Sequence, residues 1–285
     1  MEIHSECYPC LVKQALDTLK IIGIDEELKK SIIVEVLVQL ASSPTNYPPP
    51  YVSRRIYSIC ASRTGIRDPY HEIKKKSNLM VFGLLSLLRD KVKQSEDPVF
   101  EALRMTIVGN IIDYGAGRSF TLEDVSLFDR IPIAINHYDY FIEDLENSST
   151  ILYIGDNAGE IVFDRLFIEV LSNLNKKVYF AVRGKPIIND ITMEDAIFVG
   201  IDRYAEIVDS GSDAPGVALD VATPRFKSLL DKADLVISKG QGNFETLENY
   251  KRDRLYFLLR VKCEVVAKIL KAKIGDIIIA RSDKI

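Results

Sequence analysis

Six short apolar segments in the second half of the chain constrain its fold more than any other feature. Most of them are separated by stretches in which apolar residues recur at helical spacing. Strands that alternate with helices in this way form βαβ units around a parallel sheet. Apolar residues are consecutive in these segments rather than alternating with polar ones, as expected when helices cover both faces of the sheet. The apolar segments are residues 150–155, 177–182, 206–210, 234–238, 255–261 and 276–281, and the helical patterns are about 160–172, 192–199, 223–232 and 263–270.

The first half of the chain has a different pattern, which predicts helices up to about residue 145. Asn78 is a candidate cap for the apolar segment that follows it, and Pro98 is a candidate start for a helix that runs to Asp113. The stretch SSPTNYPPPY, residues 42–51, is predicted to be irregular because it contains three consecutive prolines. We therefore predict a helical domain at residues 1–147 and an α/β domain with a mostly parallel sheet at residues 148–285.

The composition is that of a globular protein and argues against several classes of partner. Of the 285 residues, 47% are hydrophobic, and the formal net charge is −4. A chain without an overall positive charge lacks the electrostatic field that favours nucleic acid. No apolar run reaches the ~18–20 residues of a membrane span, and the N-terminus lacks the layout of a secretion signal. We expect no nucleic-acid partner, no membrane contact and a cytoplasmic location, and we make no prediction of the oligomeric state.

Four cysteines and three histidines limit the metal and nucleophile sites that the chain can build. In a reducing cytosol the cysteines are thiols. Cys7 and Cys10 have the spacing C-x-x-C, which is compatible with packed thiols, a latent disulfide or half of a zinc site. A zinc site needs two more ligands, for which Cys60, His4 and His71 are the candidates nearby in sequence.

Polar residues follow four of the predicted strands at the point where each strand ends. In an open parallel sheet, ligands bind beyond the carboxyl ends of the strands. These residues are therefore expected to lie together at one edge of the sheet. They are Asp156, Asn157 and Gly159 after the first strand, Asn189 and Asp190 after the second, Ser212 and Asp213 after the third, and Lys239, Gly240 and Asn243 at the end of the fourth.

The residue types at this edge suit the binding of a metal and a phosphate. Asp156, Asn157 and Asp190 supply the oxygen ligands that hard divalent cations prefer. Gly159 lets backbone N–H groups approach an anion at a helix N-terminus, and Lys239 is a point charge for a phosphate. A metal, a lysine and backbone donors around one oxyanion are what phosphoryl transfer requires. Taken singly, Asp156 or Asp190 is also explained as a helix cap.

The residues at the strand ends are also compatible with two other functions. The sequence YIGDNAG, residues 153–159, loosely resembles the loop that holds S-adenosylmethionine in methyltransferases. That loop normally carries several glycines, and Arg183 and Gly184 stand where an acid would hold the ribose. A non-catalytic protein that binds a metal or a nucleotide is the other alternative. The chain contains no P-loop, no G-x-G-x-x-G after the first strand and no G-x-S-x-G.

Four short motifs occur in order along nearly the whole chain. They are Gly109-Asn110 with Asp113, Asp156-Asn157-Ala158-Gly159, Asn189-Asp190, and Lys239-Gly240 with Asn243. Together they resemble the metal-dependent damage-control phosphatases, a family once catalogued as a domain of unknown function. The Cys7–Cys10 pair is similar to the archaeal branch of that family. Glu160 stands where the eukaryotic branch has an aromatic residue, and KGQGN replaces an acidic KGDLN.

This resemblance implies a fold, a cofactor and a reaction. The fold is a helical bundle joined to a three-layer α/β/α domain with a Rossmann-like sheet. The cofactor is a divalent metal, Mn²⁺, Co²⁺, Ni²⁺ or Mg²⁺, held by the positions that match Asp156, Asn157 and Asp190. The reaction is the hydrolysis of phosphate from small phosphorylated metabolites, such as damaged or surplus sugar phosphates.

The resemblance and the chemistry of the residue types together suggest roles for individual residues. The predicted catalytic residues are Asp156, Asp113 and Lys239. The metal lowers the pKa of a water that attacks phosphorus, and Asp113 or Asp213 orients that water. A covalent route with Asp156 as the nucleophile is the alternative. The predicted substrate contacts are Asn110, Gly159, Ser212, Asp213, Gly240 and Asn243.

Overall fold

The computed structural model describes residues 1–109, 131–250 and 252–285. In these residues, six helices precede the sheet and six more are distributed among its strands. None of them is long and apolar enough to cross a membrane. The helices are α1 (Cys7–Ile22), α2 (Glu26–Ala41), α3 (Pro49–Thr64), α4 (His71–Phe82), α5 (Leu85–Gln94), α6 (Pro98–Val108), α7 (Tyr138–Glu146), α8 (Glu160–Asn173), α9 (Met193–Val199), α10 (Pro224–Lys232), α11 (Gln241–Leu247) and α12 (Glu264–Leu270).

The described residues form one seven-stranded sheet with the order β1-β7-β6-β5-β2-β3-β4. Strands β2 to β6 are parallel to one another, β7 is antiparallel to β6, and β1 is parallel to β7. The predicted mostly parallel sheet is therefore confirmed. The strands are β1 (Ile133–Asn136), β2 (Thr150–Ile154), β3 (Lys177–Val182), β4 (Glu206–Asp209), β5 (Leu235–Lys239), β6 (Leu255–Arg260) and β7 (Ile277–Arg281).

Helices cover both faces of the sheet, as its continuous apolar strands require. One apolar core lies between the sheet and α4–α9, and it includes Phe163 and Phe167 of α8. A second core lies against the opposite face, under α10, α11 and α12, and it includes Phe226 and Phe244. Helices α1, α2 and α3 pack on one another around a core of their own. The predicted three-layer α/β/α arrangement with an added helical layer is confirmed.

Strand β1 corrects the prediction that helices continue to about residue 145. Its sequence, IAIN, is only four residues long, and only alternate residues are shielded from solvent. A short strand at the edge of a sheet lacks the continuous apolar run by which the central strands are recognised. Helices α4–α6 also pack on the sheet layer, so the helical part is not a separate bundle throughout. The division at residues 147 and 148 stays a prediction.

Two helix boundaries also differ from the expectation. Helix α3 begins at Pro49, inside the stretch that was expected to be irregular, with Pro48 in extended conformation before it. Proline is tolerated in the first turn, because the N–H that it lacks has no partner within the helix there. Asn78 is not a cap but a buried residue inside α4. Helix α6 is described only to Val108, so its predicted end at Asp113 lies outside the described residues.

Candidate functional site

The loop after β2 lies against the loop after β3 and brings the three predicted metal ligands together. The N–H of Ala158 donates to the carbonyl of Asn189 at 2.9 Å, and the N–H of Ile191 donates to the carbonyl of Asp156 at 3.0 Å. Asn157 and Asp190 form an isolated antiparallel bridge. The side chains of Asp156, Asn157 and Asp190 are all largely buried. Backbone hydrogen bonds, rather than sequence proximity, therefore assemble this set.

Arg183, the first residue after β3, is fully buried and lies between the two carboxylates. Its Nε donates to Asp190 Oδ2 at 2.7 Å, and its Nη2 is 3.8 Å from Asp156 Oδ1. The pKa of Asp190 is raised to about 7. Burial is the main cause and the negative charge of Asp156 adds to it, whereas Arg183 acts in the opposite direction. Within residues 1–109, 131–250 and 252–285, Arg183 is thus the cation that contacts both of these buried acids.

The donor set fits a hard divalent cation. Asp156 and Asp190 provide carboxylate oxygens, and the Asn157 side chain provides an amide oxygen. Asn157 Nδ2 donates to Asp156 Oδ2 at 2.5 Å, and no donor in the described residues contacts Asn157 Oδ1. Because only two of the three ligands are carboxylates, no group of three or more His, Cys, Asp or Glu in the described residues is placed to hold a metal.

Two glycines at this site have positive φ angles, and one of them also makes a close contact. Gly240 has a φ of +78°, and a Cβ built on it would overlap the carboxylate of Asp156. Gly159 has a φ of +79°, and its N–H donates to the Asn78 side-chain oxygen at 2.6 Å. The backbone donor that was expected to meet an anion is therefore bound by α4 in this structure. The roles of Gly159 and Gly240 toward a substrate stay predictions.

Lys239, the last residue of β5, lies in a sealed ionic cluster behind the site. Its Nζ contacts the carbonyl of Thr106 at 2.7 Å, the carboxylate of Glu160, and Asp164 Oδ1 at 2.9 Å. The Tyr153 hydroxyl donates to the same Asp164 oxygen at 2.6 Å. Lys239 is fully buried, so a direct bond from it to phosphate would require it to leave one of these acceptors. Its predicted catalytic role stays a prediction.

The charges in the sealed cluster determine its protonation. Burial raises the pKa of Glu160 to about 8, although Lys239 acts in the opposite direction. Burial also raises the pKa of Asp164. For Lys239, burial alone would lower the pKa, but the two carboxylates together raise it. The lysine is therefore held charged, and a further proton taken up by the cluster binds to a carboxylate.

Asn243, Ser212 and Asp213 are held by contacts within the protein. Asn243 Nδ2 donates to the carbonyls of Gly155 and Lys239, and its Oδ1 accepts from Arg183 at 3.2 Å. The Ser212 hydroxyl bridges backbone groups of its own loop. Asp213 faces Arg54 at 3.3 Å and does not line the cavity at Asp156. Asn110 and Asp113 lie outside the described residues.

A cavity of about 180 Å³ opens onto Asp156, Asn157 and Asp190. Helices α1 and α3 close one side of it through Gln14, Pro50 and Ser53, and the opposite side carries Gln241, Glu245 and Lys262. No sequence pattern indicated these wall residues, because they come from four separate segments. Arg183 had a detectable signal, since an arginine directly after a buried strand needs carboxylate partners.

The cysteine pair Cys7 and Cys10 lies in the first turn of α1, and both are free thiols. Cys10 is exposed, and its sulfur accepts a hydrogen bond from the Gln14 side chain at 3.4 Å. Burial raises the pKa of both thiols above its usual value. A raised pKa makes a thiol less reactive, and the choice among packed thiols, a latent disulfide and half of a zinc site stays a prediction.

Comparisons with known proteins cover nearly the whole chain. The family model for the damage-control phosphatase ARMT1-like domain matches residues 3–278. A damage-control phosphatase of Archaeoglobus fulgidus is 33% identical over 289 residues, which cover 98% of each protein. A damage-control phosphatase of Pyrococcus horikoshii is 31% identical over 287 residues, which cover 99% of each protein.

A solved structure agrees with the described architecture. The crystal structure of a family protein from Pyrococcus horikoshii, of the former domain of unknown function 89, has a TM-score of 0.91 to this chain. The two sequences are 30% identical, and the superposition covers 99% of both chains. The layers and the sheet described above are therefore those of that structure.

Proposed function

Since this chain belongs to the damage-control phosphatase ARMT1-like family, and is a phosphatase, we propose that it hydrolyses small phosphomonoesters with a divalent cation held by Asp156, Asn157 and Asp190. The relatives named above are damage-control phosphatases, which supports a phosphorylated metabolite as the substrate. Mn²⁺, Co²⁺, Ni²⁺ and Mg²⁺ are the candidate cations, because each accepts oxygen ligands.

The observation that carries this proposal is the convergence of two carboxylates and an amide oxygen at the ends of β2 and β3. The sheet edge is where an open α/β fold binds its ligands. The cluster has two acids for one arginine, and a cavity opens onto it. Two carboxylates and an amide oxygen beside a cavity are a ligand set that a divalent cation accepts.

The chain's own residues would position the reactants around that cation. When bound, a divalent cation supplies Lewis-acid stabilisation to the phosphoryl oxygens. Arg183 holds Asp190 by a hydrogen bond, and Asn157 is oriented by Asp156. The N-terminus of α8 points its dipole at this edge, which favours a negatively charged phosphate there. Pro50 and Ser53 of α3 form part of the cavity wall.

Binding of S-adenosylmethionine at the same edge is not favoured. A methyltransferase needs an acid after the second strand of the sheet domain to bind the ribose hydroxyls. In this chain Arg183 occupies that place, is fully buried and is bound to Asp190 and Asn243.

The proposal is tested by phosphate release from sugar phosphates and a chromogenic phosphate ester, in EDTA or in each of the four metals. The Asp156→Asn, Asp190→Asn double variant keeps the side-chain shapes and removes both negative charges. We expect metal-dependent release to fall on the order of 1000-fold, because the loss of Lewis-acid stabilisation costs several kcal/mol.

The matched control is Asp202→Asn, which changes an exposed aspartate outside the cavity. Calorimetric titration with Mn²⁺ gives a second readout, in which wild type and control bind and the double variant does not. Metal affinity that is unchanged in the double variant, or equal activity in EDTA, would remove these residues from the cofactor site.

A further inference from the structure

A larger cavity, of about 520 Å³, lies beside the one at Asp156. It is enclosed by α1, α3 and the loop that follows β3. Four cationic side chains line it: Arg54, Arg55, Arg67 and Lys185. We call this space the cationic cavity. Its concentration of positive charge contrasts with the net charge of −4 on the whole chain.

The charge in the cationic cavity is only partly neutralised by the protein. Arg54 is 3.3 Å from Asp213 and 3.0 Å from Asp220, and Lys185 is 3.5 Å from Asp213. Four cations therefore face two carboxylates. Arg55 and Arg67 are exposed and form no ion pair with any carboxylate in the described residues. These two arginines are the ones available to an anionic ligand.

The cationic cavity adjoins the cavity at Asp156 across a strained residue. Ile188 lines both spaces and has a φ of +37°, which is rare for a β-branched residue and costs energy. Tyr57 also separates them, since it lines the cationic cavity and its hydroxyl donates to Gln14 at 3.2 Å, a residue of the other cavity. One loop thus supplies Asp190 to one space and Lys185 to the other.

We propose that the cationic cavity binds a second anionic group of the substrate. The substrates of this chain are then phosphomonoesters that also carry a carboxylate or a second phosphate, and Arg55 and Arg67 select for that group. This inference rests on the proposed function, which places the reacting phosphate at Asp156. Apolar residues such as Ile22, Ile66 and Ile187 line the same space and suit the carbon skeleton between the two anions. Arginine matches both carboxylate and phosphate by paired hydrogen bonds.

The test compares substrates that differ only in the second anion. In 3-phosphoglycerate a carboxylate replaces the hydroxymethyl group of glycerol 3-phosphate, and fructose 1,6-bisphosphate and fructose 1-phosphate form a second pair. We expect wild type to favour the member with the second anionic group by about tenfold or more in kcat/KM, as a charge-assisted hydrogen bond gives. In the Arg55→Gln, Arg67→Gln variant the ratio falls toward one.

Arg63→Gln is the matched control, because Arg63 is on the same helix as Arg55 but pairs with Glu35 outside the cavity. The control keeps the wild-type ratio. A wild type without preference, or a double variant that keeps the preference, overturns the inference while the phosphatase activity stands.

A second readout separates this inference from the proposed function. If no phosphomonoester and no chromogenic ester is hydrolysed with any metal, the proposed function fails. Calorimetric titration of the protein with 3-phosphoglycerate and with glycerol 3-phosphate, in EDTA, then tests anion binding by the cationic cavity independently of catalysis. Tighter binding of 3-phosphoglycerate by wild type than by the double variant supports it, and equal binding by the two proteins overturns it.

Discussion

Two buried ionic clusters lie side by side at the carboxyl ends of β3 and β5, and they contain the same balance of charge. In one, Arg183 faces Asp156 and Asp190, and in the other, Lys239 faces Glu160 and Asp164. Among the residues that the structure describes, each cluster pairs one cation with two acids. They differ in access, because Asp156 and Asp190 line a cavity whereas Lys239 and Asp164 have no exposed surface.

This difference in access determines whether the negative charge of each cluster can be neutralised by a metal cation or only by a proton. The cluster around Arg183 can take up a divalent cation from solution, which keeps both acids ionised. The cluster around Lys239 is sealed by Tyr153 and Thr106 and can only take up a proton. Burial accordingly raises the pKa of Glu160 to about 8. We interpret the open cluster as the cofactor site and the sealed cluster as the support that fixes α8 to β5.

Replacement of Lys239 by methionine has the largest expected effect. It leaves Glu160 and Asp164 buried without their cation, and breaking a buried ion pair in this way costs about 3–5 kcal/mol. Urea denaturation in EDTA measures the free energy of unfolding. Lys177→Met is the control, because Lys177 is exposed at the start of β3, and a change within about 0.5 kcal/mol is expected there.

The opposite result would restore the role that the sequence predicted. A Lys239→Met protein with wild-type stability but weakened phosphate binding would mean that Lys239 turns toward the substrate. The sealed cluster would then be part of the catalytic machinery, and the contrast between the two clusters would be lost.

Replacement of Gly240 by alanine tests the contact between the two clusters, because Gly240 follows Lys239 and packs on Asp156. Gly23 offers a matched control, since its φ is also +78° but no atom lies near its missing Cβ. We expect Gly23→Ala to cost about 1 kcal/mol through backbone strain alone. Gly240→Ala adds the overlap with Asp156, for a total of about 2–3 kcal/mol, and weakens Mn²⁺ binding. Equal costs for the two variants would mean that Asp156 moves aside freely.

The sequence predicted the strands of this sheet well, because a strand buried on both faces is a local and continuous apolar run. Segment 177–182 has the observed limits of β3, and the other central strands differ by a residue or two at their ends. Strand β1 was missed, since it is a short edge strand with alternating exposure. The start of α3 was missed because proline breaks a helix only after its first turn.

The candidate site was predictable in place but not in the direction of its side chains. Residues after a strand, such as Asp156 and Asp190, project beyond the sheet edge, as the strand-end rule assumes. Lys239 is still part of β5, where side chains stand perpendicular to the sheet. It therefore enters the layer between the sheet and α8 and meets Asp164. Whether a residue is the last of a strand or the first of a loop is a one-residue distinction that the apolar pattern does not resolve.

The pH dependence of stability is the smallest expected effect and separates the clusters most directly. The pKa of Asp190, raised mainly by burial, is about 7 in the folded protein against an ordinary 3.8, and that of Glu160 is about 8 against 4.5. Between these values the folded state binds more protons than the unfolded state, so the free energy of unfolding falls as the pH rises. For metal-free protein between pH 6 and pH 7, we expect a fall of about 1 kcal/mol from each group.

Single variants show how much Asp190 and Glu160 each contribute to this fall in the free energy of unfolding. Asp190→Asn and Glu160→Gln should each flatten the pH dependence in EDTA, measured by urea denaturation at pH 6 and pH 7. Saturating Mg²⁺ should reduce the decrease in the free energy of unfolding with rising pH, both in wild type and in Glu160→Gln. The reason is that a cation at the open cluster stabilises the ionised form of Asp190. The contribution of Glu160 should persist in Mg²⁺, since no cation reaches the sealed cluster. If Mg²⁺ instead removes the contribution of Glu160, the two clusters titrate as one unit and the site extends to Lys239.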